Sequence, residues 1–268
     1  AIYADIKNCY YRRVFAIGGG TIIDVSKLFA LEKVSPVLDL YDHKIPAKKG
    51  KELFILPTTC GTGSEVTNIS ILELKSRHTK LGLAEPALFA DAAVLIPELL
   101  QGLPFRFFAT SSIDALIHAE ESYVSLDASP FSEAMSEKAM ELIGRSIRTY
   151  VADRSNLEAA SDMLAGSLFA GIAFSWARLG NIHAMSHPVS AFFNVPHGVA
   201  NGILFPYIVK YNEEAAFGKY RKIYNYISTE KKCESDFSKG MLEQAVRELN
   251  AQVGIPAKLS DAGVTDEY

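Results

Sequence analysis

The sequence predicts a protein of two parts, an α/β region built on a parallel sheet followed by an all-helical region. Short apolar runs separated by turns fill residues 1–102, and a stretch of helical periodicity lies between the first two runs. After Gly102-Leu103-Pro104, glycines and short runs give way to long amphipathic stretches. We therefore expect an α/β domain over residues 1–102 and an all-α domain over residues 103–268.

Four runs in the first region have the composition of strands. Each is rich in Val, Ile, Leu or Ala and is bounded by Gly, Pro or polar residues. They are VFAIG (14–18), LFILPT (53–58), ISILEL (69–74) and AAVLI (92–96). The segment IIDVSKLFALEK (22–33) reads as a helix between the first two. Strand, glycine turn, helix and strand in this order predict a βαβ unit with a parallel sheet.

The second region has the periodicity of helices. Apolar residues recur at helical spacing through residues 133–151, and residues 156–176 and 236–253 look similar. No internal repeat or low-complexity tract interrupts them. This pattern predicts an all-helical domain.

Composition excludes several classes of protein. The 268 residues include 27 Lys and Arg against 31 Asp and Glu, for a net charge of −4. A slightly acidic chain lacks the basic surface that a dedicated nucleic-acid binder needs. No apolar run approaches the roughly 20 residues that span a bilayer, so we expect no membrane association. Three widely spaced cysteines argue against a disulfide framework and favour a reducing cytoplasm.

Two glycine-rich turns follow consecutive strands. Gly18-Gly19-Gly20 joins the first strand to the helix, whose N-terminal N–H groups suit a phosphate. The same kind of turn also occurs without a ligand, and neither GxGxxG nor GxxxxGK[ST] is present. The second segment, PTTCGTGSEVT (57–67), offers hydroxyls for sugar and diphosphate oxygens, or is a polar loop that caps a helix. Two such turns at one sheet edge favour ligand binding.

An Asp and several His predict a metal site in the second region. Asp114 and His118 are four residues apart, as are His183 and His187, and His197 follows. A helix places residues four apart on one face. Mixed oxygen and nitrogen ligands suit Fe²⁺ or Zn²⁺. Each residue taken alone is more often an ordinary buried or hydrogen-bonded group than a ligand, so the prediction depends on the combination.

Other residues around this cluster have weaker interpretations. His187 precedes Pro188, which disfavours helical geometry, so it is expected to face the site without binding metal. His183 is followed by Ala184, so the HExxH motif of zinc proteases is absent. His43 and His78 are read as surface residues. Cys60 reads as a small loop residue in preference to a reactive thiol.

Together these motifs resemble the iron-containing (group III) alcohol dehydrogenases. The matching segments, in the family's order, are GGGTIIDVSK (18–27), PTTCGTGSEVT (57–67), DALIHAEESYVS (114–125) and HAMSHPVSAFFNVPHGVAN (183–201). The resemblance covers essentially the whole chain. The phrase TTCGTGSEVTNISI is also similar to the 4-hydroxybutyrate dehydrogenase branch, a narrower match.

The resemblance implies a fold, cofactors and roles. The fold is a Rossmann-like dinucleotide-binding domain, here partial, plus an all-α domain, in the dehydroquinate synthase-like architecture. The implied metal, Fe²⁺ with Zn²⁺ as an alternative, is bound by Asp114, His118, His183 and His197. His187 lies beside the substrate and relays a proton. The residues along NAD(H) or NADP(H) are Gly19, Gly20, Thr21, Asp24, Thr58, Thr59, Thr62, Thr67 and Lys80.

The chain also departs from the family pattern. We expect the family's first βαβ segment to precede Ala1 and its last helices to follow Tyr268, so the sequence is expected to be a fragment. That first segment carries the acidic residue that meets the adenosine ribose, which leaves NAD and NADP both open. Arg178 stands where relatives more often have small residues. It is read as a surface residue, or as a partner of a substrate carboxylate.

The expected function is hydride transfer between nicotinamide and a short-chain primary alcohol or aldehyde, in a cytoplasmic homo-oligomer. The branch resemblance favours 4-hydroxybutyrate and succinate semialdehyde, and a plain short-chain alcohol or diol is the alternative substrate. A truncated, non-catalytic chain of the same fold is a second alternative. A metal-dependent hydrolase or lyase is a third, against which the paired glycine turns argue.

Overall fold

The computed structural model describes residues 6, 8–74 and 79–265, which divide into two units. The first unit comprises residues up to Pro57 together with Ser64–Val94, and the second comprises Thr58–Gly63 and the chain from Leu95 onward. The change at Val94–Leu95 comes earlier than the boundary at 102–104 that the sequence suggests. His78, read above as a surface residue, lies outside the described residues.

A parallel sheet and its covering helix organise the first unit. The strands in its described part are β1 (Arg13–Gly18), β2 (Glu52–Pro57), β3 (Ile69–Leu74), β4 (Thr79–Ala84) and β5 (Ala92–Ala93). The order β1-β2-β5 is parallel throughout, and Gly18 pairs with Pro57 at the carboxyl ends. Helix α1 (Gly20–Phe29) buries Ile23 against Ala16, Leu53 and Ile55 of the sheet. The short helix α2 (Val37–Tyr41) follows.

The predicted βαβ unit is confirmed, but two details of the strands differ. β3 does not join the parallel sheet, because it pairs antiparallel with β4, a strand that the sequence analysis did not predict. The run at 92–96 contributes only the two residues of β5. β4 reads TKLGLA, and its lysine and glycine weaken the apolar pattern by which strands are recognised.

The second unit is helical, as predicted. Its helices in the described residues are α3 (Phe105–Val124), α4 (Pro130–Ala152), α5 (Leu157–Ala177), α6 (Asn181–Phe193), α7 (His197–Ile227) and α8 (Met241–Val253). Local chemistry sets several ends. A reciprocal capping box of Ser129 and Ser132 begins α4, the Asn156 side chain accepts from the Ala159 N–H to begin α5, and left-handed Gly254 ends α8.

Helix α5 corrects one expectation from composition. Its 21 residues have a mean hydropathy of 1.3 in the most apolar window, enough by length and composition to cross a membrane. The helix packs against α3 and α4, and Met163, Leu164 and Ala170 are buried in the apolar core that these helices share. Its apolar character is therefore accounted for by burial in the helical unit.

Helix α6 corrects a second expectation, because it runs through Pro188. Proline cannot donate a hydrogen bond, so the carbonyl of Ala184 loses its partner one turn earlier. Ala184 is exposed, and water can therefore hydrate that carbonyl. His183 and His187 consequently remain on one helix, four residues apart.

Candidate metal centre

One face of α3 carries three buried polar side chains. Asp114, His118 and Glu121 are spaced by four and three residues, which places them along a single stripe of the helix. All three are almost fully buried. Buried charged groups need partners, and the partners of this stripe come from α6 and α7.

Helices α6 and α7 bring two histidines to Asp114. The Oδ1 atom of Asp114 lies 3.4 Å from Nε2 of His183 and 3.8 Å from Nε2 of His197. One donor atom from each of these three residues lies within 4.8 Å of the other two. His118 is not a member of this group among the described residues, although its ring stacks on that of His183 at 4.5 Å between centroids. Its role as a ligand stays a prediction.

Hydrogen bonds fix which nitrogen of each buried histidine faces the cluster. Nδ1 of His183 lies 2.6 Å from Oε2 of Glu121, and Nδ1 of His118 lies 3.1 Å from the carbonyl oxygen of Gly61. A carboxylate and a carbonyl only accept, so each Nδ1 carries the proton. Nε2 is therefore the nitrogen of each ring that is available to a metal, either as a lone pair or by giving up a proton that the cation replaces.

Asn201 occupies the centre of the cluster. Its Nδ2 donates to Oδ1 of Asp114 at 2.7 Å and lies 3.2 Å from Nε2 of His183 and 3.1 Å from Nε2 of His197. The side chain is fully buried, and its Oδ1 has no hydrogen-bond partner in the described structure. One NH₂ group has two hydrogens, so it cannot donate to Asp114, His183 and His197 all at once.

The electrostatics of the cluster favour a positive charge. Burial lowers the pKa of His183, but the hydrogen bonds and charges of Asp114 and Glu121 outweigh it and raise that pKa to about 9. Burial would raise the pKa of Asp114, yet His118, His183 and His197 together hold it well below its ordinary value. Burial also lowers the pKa of His118 to about 4, which keeps this imidazole neutral.

These observations fit a divalent cation. A carboxylate oxygen and two imidazole nitrogens form the kind of mixed donor set that Fe²⁺ and Zn²⁺ accept. The convergence of Asp114 with two imidazole nitrogens and the raised pKa of His183 both indicate a place where positive charge is stabilised.

His187 lies at the open side of this group. It is exposed, and its ring centroid lies 5.4 Å from that of His197 and 6.5 Å from that of His183. It belongs to the same helix as His183, one turn along. This position is compatible with a proton-relay role beside the cluster, which stays a prediction.

The first glycine turn has the predicted form in the first unit. Gly19 is the extended N-cap of α1, Gly20 is the first helical residue and Thr21 is exposed. Among the described residues, no side chain caps this end of the helix. The N–H groups of Gly20 and Thr21 precede the first hydrogen bond of the helix, which Ile22 donates to the carbonyl of Gly19, so they suit an anion.

Two predicted cofactor residues lie in a buried network around Lys27. The Lys27 ammonium is fully buried and donates to Ser64, Thr67 and the carbonyl of Ile69. Asp24 accepts from the Ser64 hydroxyl at 2.8 Å and from the Ile71 N–H at 3.1 Å. The observed contacts of Asp24 and Thr67 are therefore internal to the first unit, and their contact with a dinucleotide stays a prediction.

The remaining predicted residues are placed as follows. Thr58, Thr59 and Thr62 are partly buried in the segment that belongs to the second unit, and Lys80 is exposed on β4. Cys60 is fully buried, in line with its interpretation as a structural loop residue.

Arg178 is a surface residue with an unusual backbone. Its side chain is 83% exposed and its Nε lies 3.4 Å from Asp127. It ends α5 with φ 64° and ψ −174°, a conformation that glycine adopts far more readily. The structure therefore supports the surface interpretation over a buried partner for a carboxylate.

The sequence analysis missed two residues of the centre, Glu121 and Asn201. Helical spacing contained a signal for both, because Glu121 lies seven residues after Asp114 and Asn201 lies four residues after His197. Neither is a usual metal ligand in the pattern considered. Their roles depend on contacts between helices distant in sequence, which spacing alone does not reveal.

Comparison with known proteins supplies the family. A model of the iron-containing alcohol dehydrogenases matches residues 1–97, and a model of the C-terminal part of the Fe-containing alcohol dehydrogenase family matches residues 108–268. The 4-hydroxybutyrate dehydrogenase of Clostridium kluyveri is 45% identical over 251 residues, which are 92% of this chain and 68% of that protein.

Solved structures of similar proteins support the same family. A 1,3-propanediol oxidoreductase is 30% identical with a TM-score of 0.88, over 98% of this chain and 69% of that one. Sulfoacetaldehyde reductase from Bifidobacterium kashiwanohense, solved with NAD⁺, is 28% identical with a TM-score of 0.88, over 99% of this chain and 70% of that one. The chain thus spans about two thirds of the length of its relatives, and it belongs to the iron-containing alcohol dehydrogenase family.

Proposed function

We propose that the chain carries the metal centre of an NAD(P)-linked alcohol dehydrogenase or aldehyde reductase. The observation that carries the proposal is the convergence of Asp114, His183 and His197 within 4.8 Å in a member of this family. In this proposal those three residues hold the cation, and His118, whose Nε2 is left with a lone pair, completes the ligand set.

The chain's own residues supply position and proton movement. A bound cation would supply Lewis-acid polarisation of the substrate oxygen, and a bound nicotinamide would supply the hydride chemistry at the carbinol carbon. Asp114 supplies the negative charge that holds the cation. His187, exposed one turn from His183, moves the hydroxyl proton between the site and water through its imidazole. The N-terminal N–H groups of α1 bind a phosphate of the dinucleotide.

The finer assignments are also proposals. We propose iron as the native metal with zinc as the alternative, and NAD(H) or NADP(H) as the hydride carrier. A cytoplasmic homo-oligomer is proposed from the family resemblance. Sedimentation of the purified chain tests the assembly, and a monomer at micromolar concentration would contradict it.

Metal content tests the site. The chain and its Asp114→Ala variant are purified without oxygen and analysed for iron and zinc. Near-stoichiometric metal in the parent and its loss in Asp114→Ala are expected, because the variant removes the only carboxylate of the ligand group. Asp236→Ala, at an exposed acidic residue, is the control and is expected to keep its metal. Equal metal in parent and Asp114→Ala would refute the site.

The substrate is tested by a matched pair of aldehydes. We propose succinate semialdehyde and 4-hydroxybutyrate as the substrate pair, supported by the similarity to the Clostridium kluyveri enzyme. Rates with succinate semialdehyde and with butanal are compared, each with NADH and NADPH. Comparable rates on the two aldehydes would argue against a carboxylate pocket and favour a short-chain alcohol or diol enzyme.

A further inference from the structure

Glu121 is a buried carboxylate that the proposed reaction does not use. It is 3% exposed and lies on the face of α3 that carries Asp114. We propose that Glu121 is a positioning residue, which fixes the ring of His183 so that Nε2, and not Nδ1, is presented to the cation. This inference rests on the proposed function, because it assigns Glu121 a role toward a metal that Asp114 and His183 hold.

Both oxygens of Glu121 are engaged by neighbouring residues of α6. Oε2 accepts from Nδ1 of His183 at 2.6 Å, and Oε1 accepts from the N–H of Ile182 at 2.6 Å. Gly180 precedes Ile182, and a Cβ there would lie 3.0 Å from Oε1 of Glu121. The absence of a side chain at Gly180 therefore gives the carboxylate room to reach the first turn of α6.

The two contacts determine the state of the His183 ring. The carboxylate accepts at both oxygens, so Nδ1 carries a proton, and Nε2 is directed at Oδ1 of Asp114 3.4 Å away, where a cation would replace any proton on Nε2. A histidine ligand whose other N–H is held by a carboxylate is fixed in tautomer and orientation and is a more basic ligand. Loss of such a partner typically weakens metal binding by about 10- to 100-fold.

Glu121→Gln separates this role from capping of α6. The amide oxygen of glutamine can still accept from the Ile182 N–H, so the helix end keeps its partner. The NH₂ group then faces Nδ1 of His183 and must donate to it. The ring proton moves to Nε2, where it blocks the lone pair that a cation needs.

Glu120 provides a matched control on the adjacent position. It is 2% exposed on the same helix, and no hydrogen bond joins it to His183 in the described structure. Glu120→Gln removes a buried carboxyl of the same size without changing the partner of His183. It is therefore expected to leave Zn²⁺ affinity within about threefold of the parent, since the ring keeps its second partner.

Two measurements test the proposal. The first is the dissociation constant for Zn²⁺ of the parent, Glu121→Gln, Glu120→Gln and Asp114→Ala chains, by competition with a chromophoric chelator. The second is the nitrogen and imino-proton NMR spectrum of the zinc-loaded chain labelled at histidine nitrogen. We expect 10- to 100-fold weaker binding in Glu121→Gln, and a proton on Nδ1 of zinc-bound His183 in the parent and in Glu120→Gln.

The outcomes distinguish this inference from the proposed function. If the parent binds no Zn²⁺, or binds it as tightly as Asp114→Ala does, the metal site itself is wrong and the inference falls with it. If the parent binds but Glu121→Gln binds equally well, only the role of Glu121 is overturned. Should Glu121→Gln fail to fold by circular dichroism, the parent spectrum decides, because zinc on Nδ1 of His183 would overturn the proposal.

Discussion

Gly198 permits the approach of α7 to α3 on which the metal centre depends, so we expect Gly198→Ala to disrupt metal binding. It follows His197 in the first turn of α7 and lies against Thr110 of α3. A Cβ at Gly198 would lie 2.9 Å from both the carbonyl carbon and the Cβ of Thr110, and closer still to the carbonyl oxygen. Much of this obstacle is backbone, which a change of side-chain rotamer cannot relieve.

The size of the effect follows from that contact. Ordinary van der Waals contact begins at 3.4 Å, so α7 must move by at least 3.4 − 2.9 = 0.5 Å at this point. Metal–ligand distances tolerate only about 0.2 Å, and site geometries about 0.5 Å. We expect Gly198→Ala to weaken Zn²⁺ binding at least tenfold, roughly 1.4 kcal/mol. Overpacking costs about 1–3 kcal/mol of stability, partly offset by the better helix propensity of alanine.

The assay is the same chelator competition, with urea unfolding of the metal-free chain beside it. Gly218→Ala is the control on the same helix, because no atom lies within 4 Å of a Cβ there. This variant should gain about 1 kcal/mol of stability from helix propensity and keep its affinity for Zn²⁺. If Gly198→Ala bound Zn²⁺ like the parent, the argument that this close approach sets the ligand geometry would be refuted.

Two predictions concern stability. Burial raises the pKa of Glu65 from 4.5 to about 7, so the folded chain keeps this proton longer than the unfolded chain does. Between pH 4.5 and 7 the free energy of unfolding of the parent should therefore fall by roughly 3 kcal/mol more than that of Glu65→Gln. Urea unfolding of both chains across that range measures the difference, and the same pH dependence in both would contradict the prediction. Arg178→Gly should stabilise the chain by about 1 kcal/mol, because it relieves backbone strain that the exposed ion pair with Asp127 offsets only weakly. A lower urea midpoint for that variant would count against the strain.

Features of the fold that depend on local pattern could be predicted from the sequence. The strand, glycine turn and helix from Arg13 to Phe29 follow from a local pattern of apolar runs separated by glycines, which does not depend on contacts with the rest of the chain. The pairing of β3 with β4 could not be predicted, because β4 combines Lys80 and Gly82 in a six-residue strand. The usual effect of proline predicts that a helix is interrupted before Pro188, but a proline within a helix is tolerated where water can reach the carbonyl that loses its hydrogen bond.

The same distinction applies to the site, where residues grouped on one helix could be predicted and contacts between helices could not. Asp114 with His118, and His183 with His187, are visible in the sequence because a helix brings residues four apart together. The contacts of Glu121 with His183 and of Asn201 with Asp114 join residues 62 and 87 positions apart. These contacts depend on how α3, α6 and α7 pack, and no single-helix periodicity contains that information. The residues missed are therefore those that act between helices.

Three glycines explain how helices carrying large side chains come close enough to form the centre. The carbonyl of Gly61 accepts from His118, and a Cβ on that glycine would lie 2.9 Å from a backbone oxygen of α3. Gly180 gives the carboxylate of Glu121 room at α6, and Gly198 lets α7 approach α3. In each case a ligand or its partner reaches its position because a neighbouring residue has no side chain. Because protein interiors are close-packed, a methyl group added at such a position cannot be accommodated by a change of side-chain rotamer and displaces the helix. The formation of the centre therefore depends on these glycines as well as on the residues that would touch the metal.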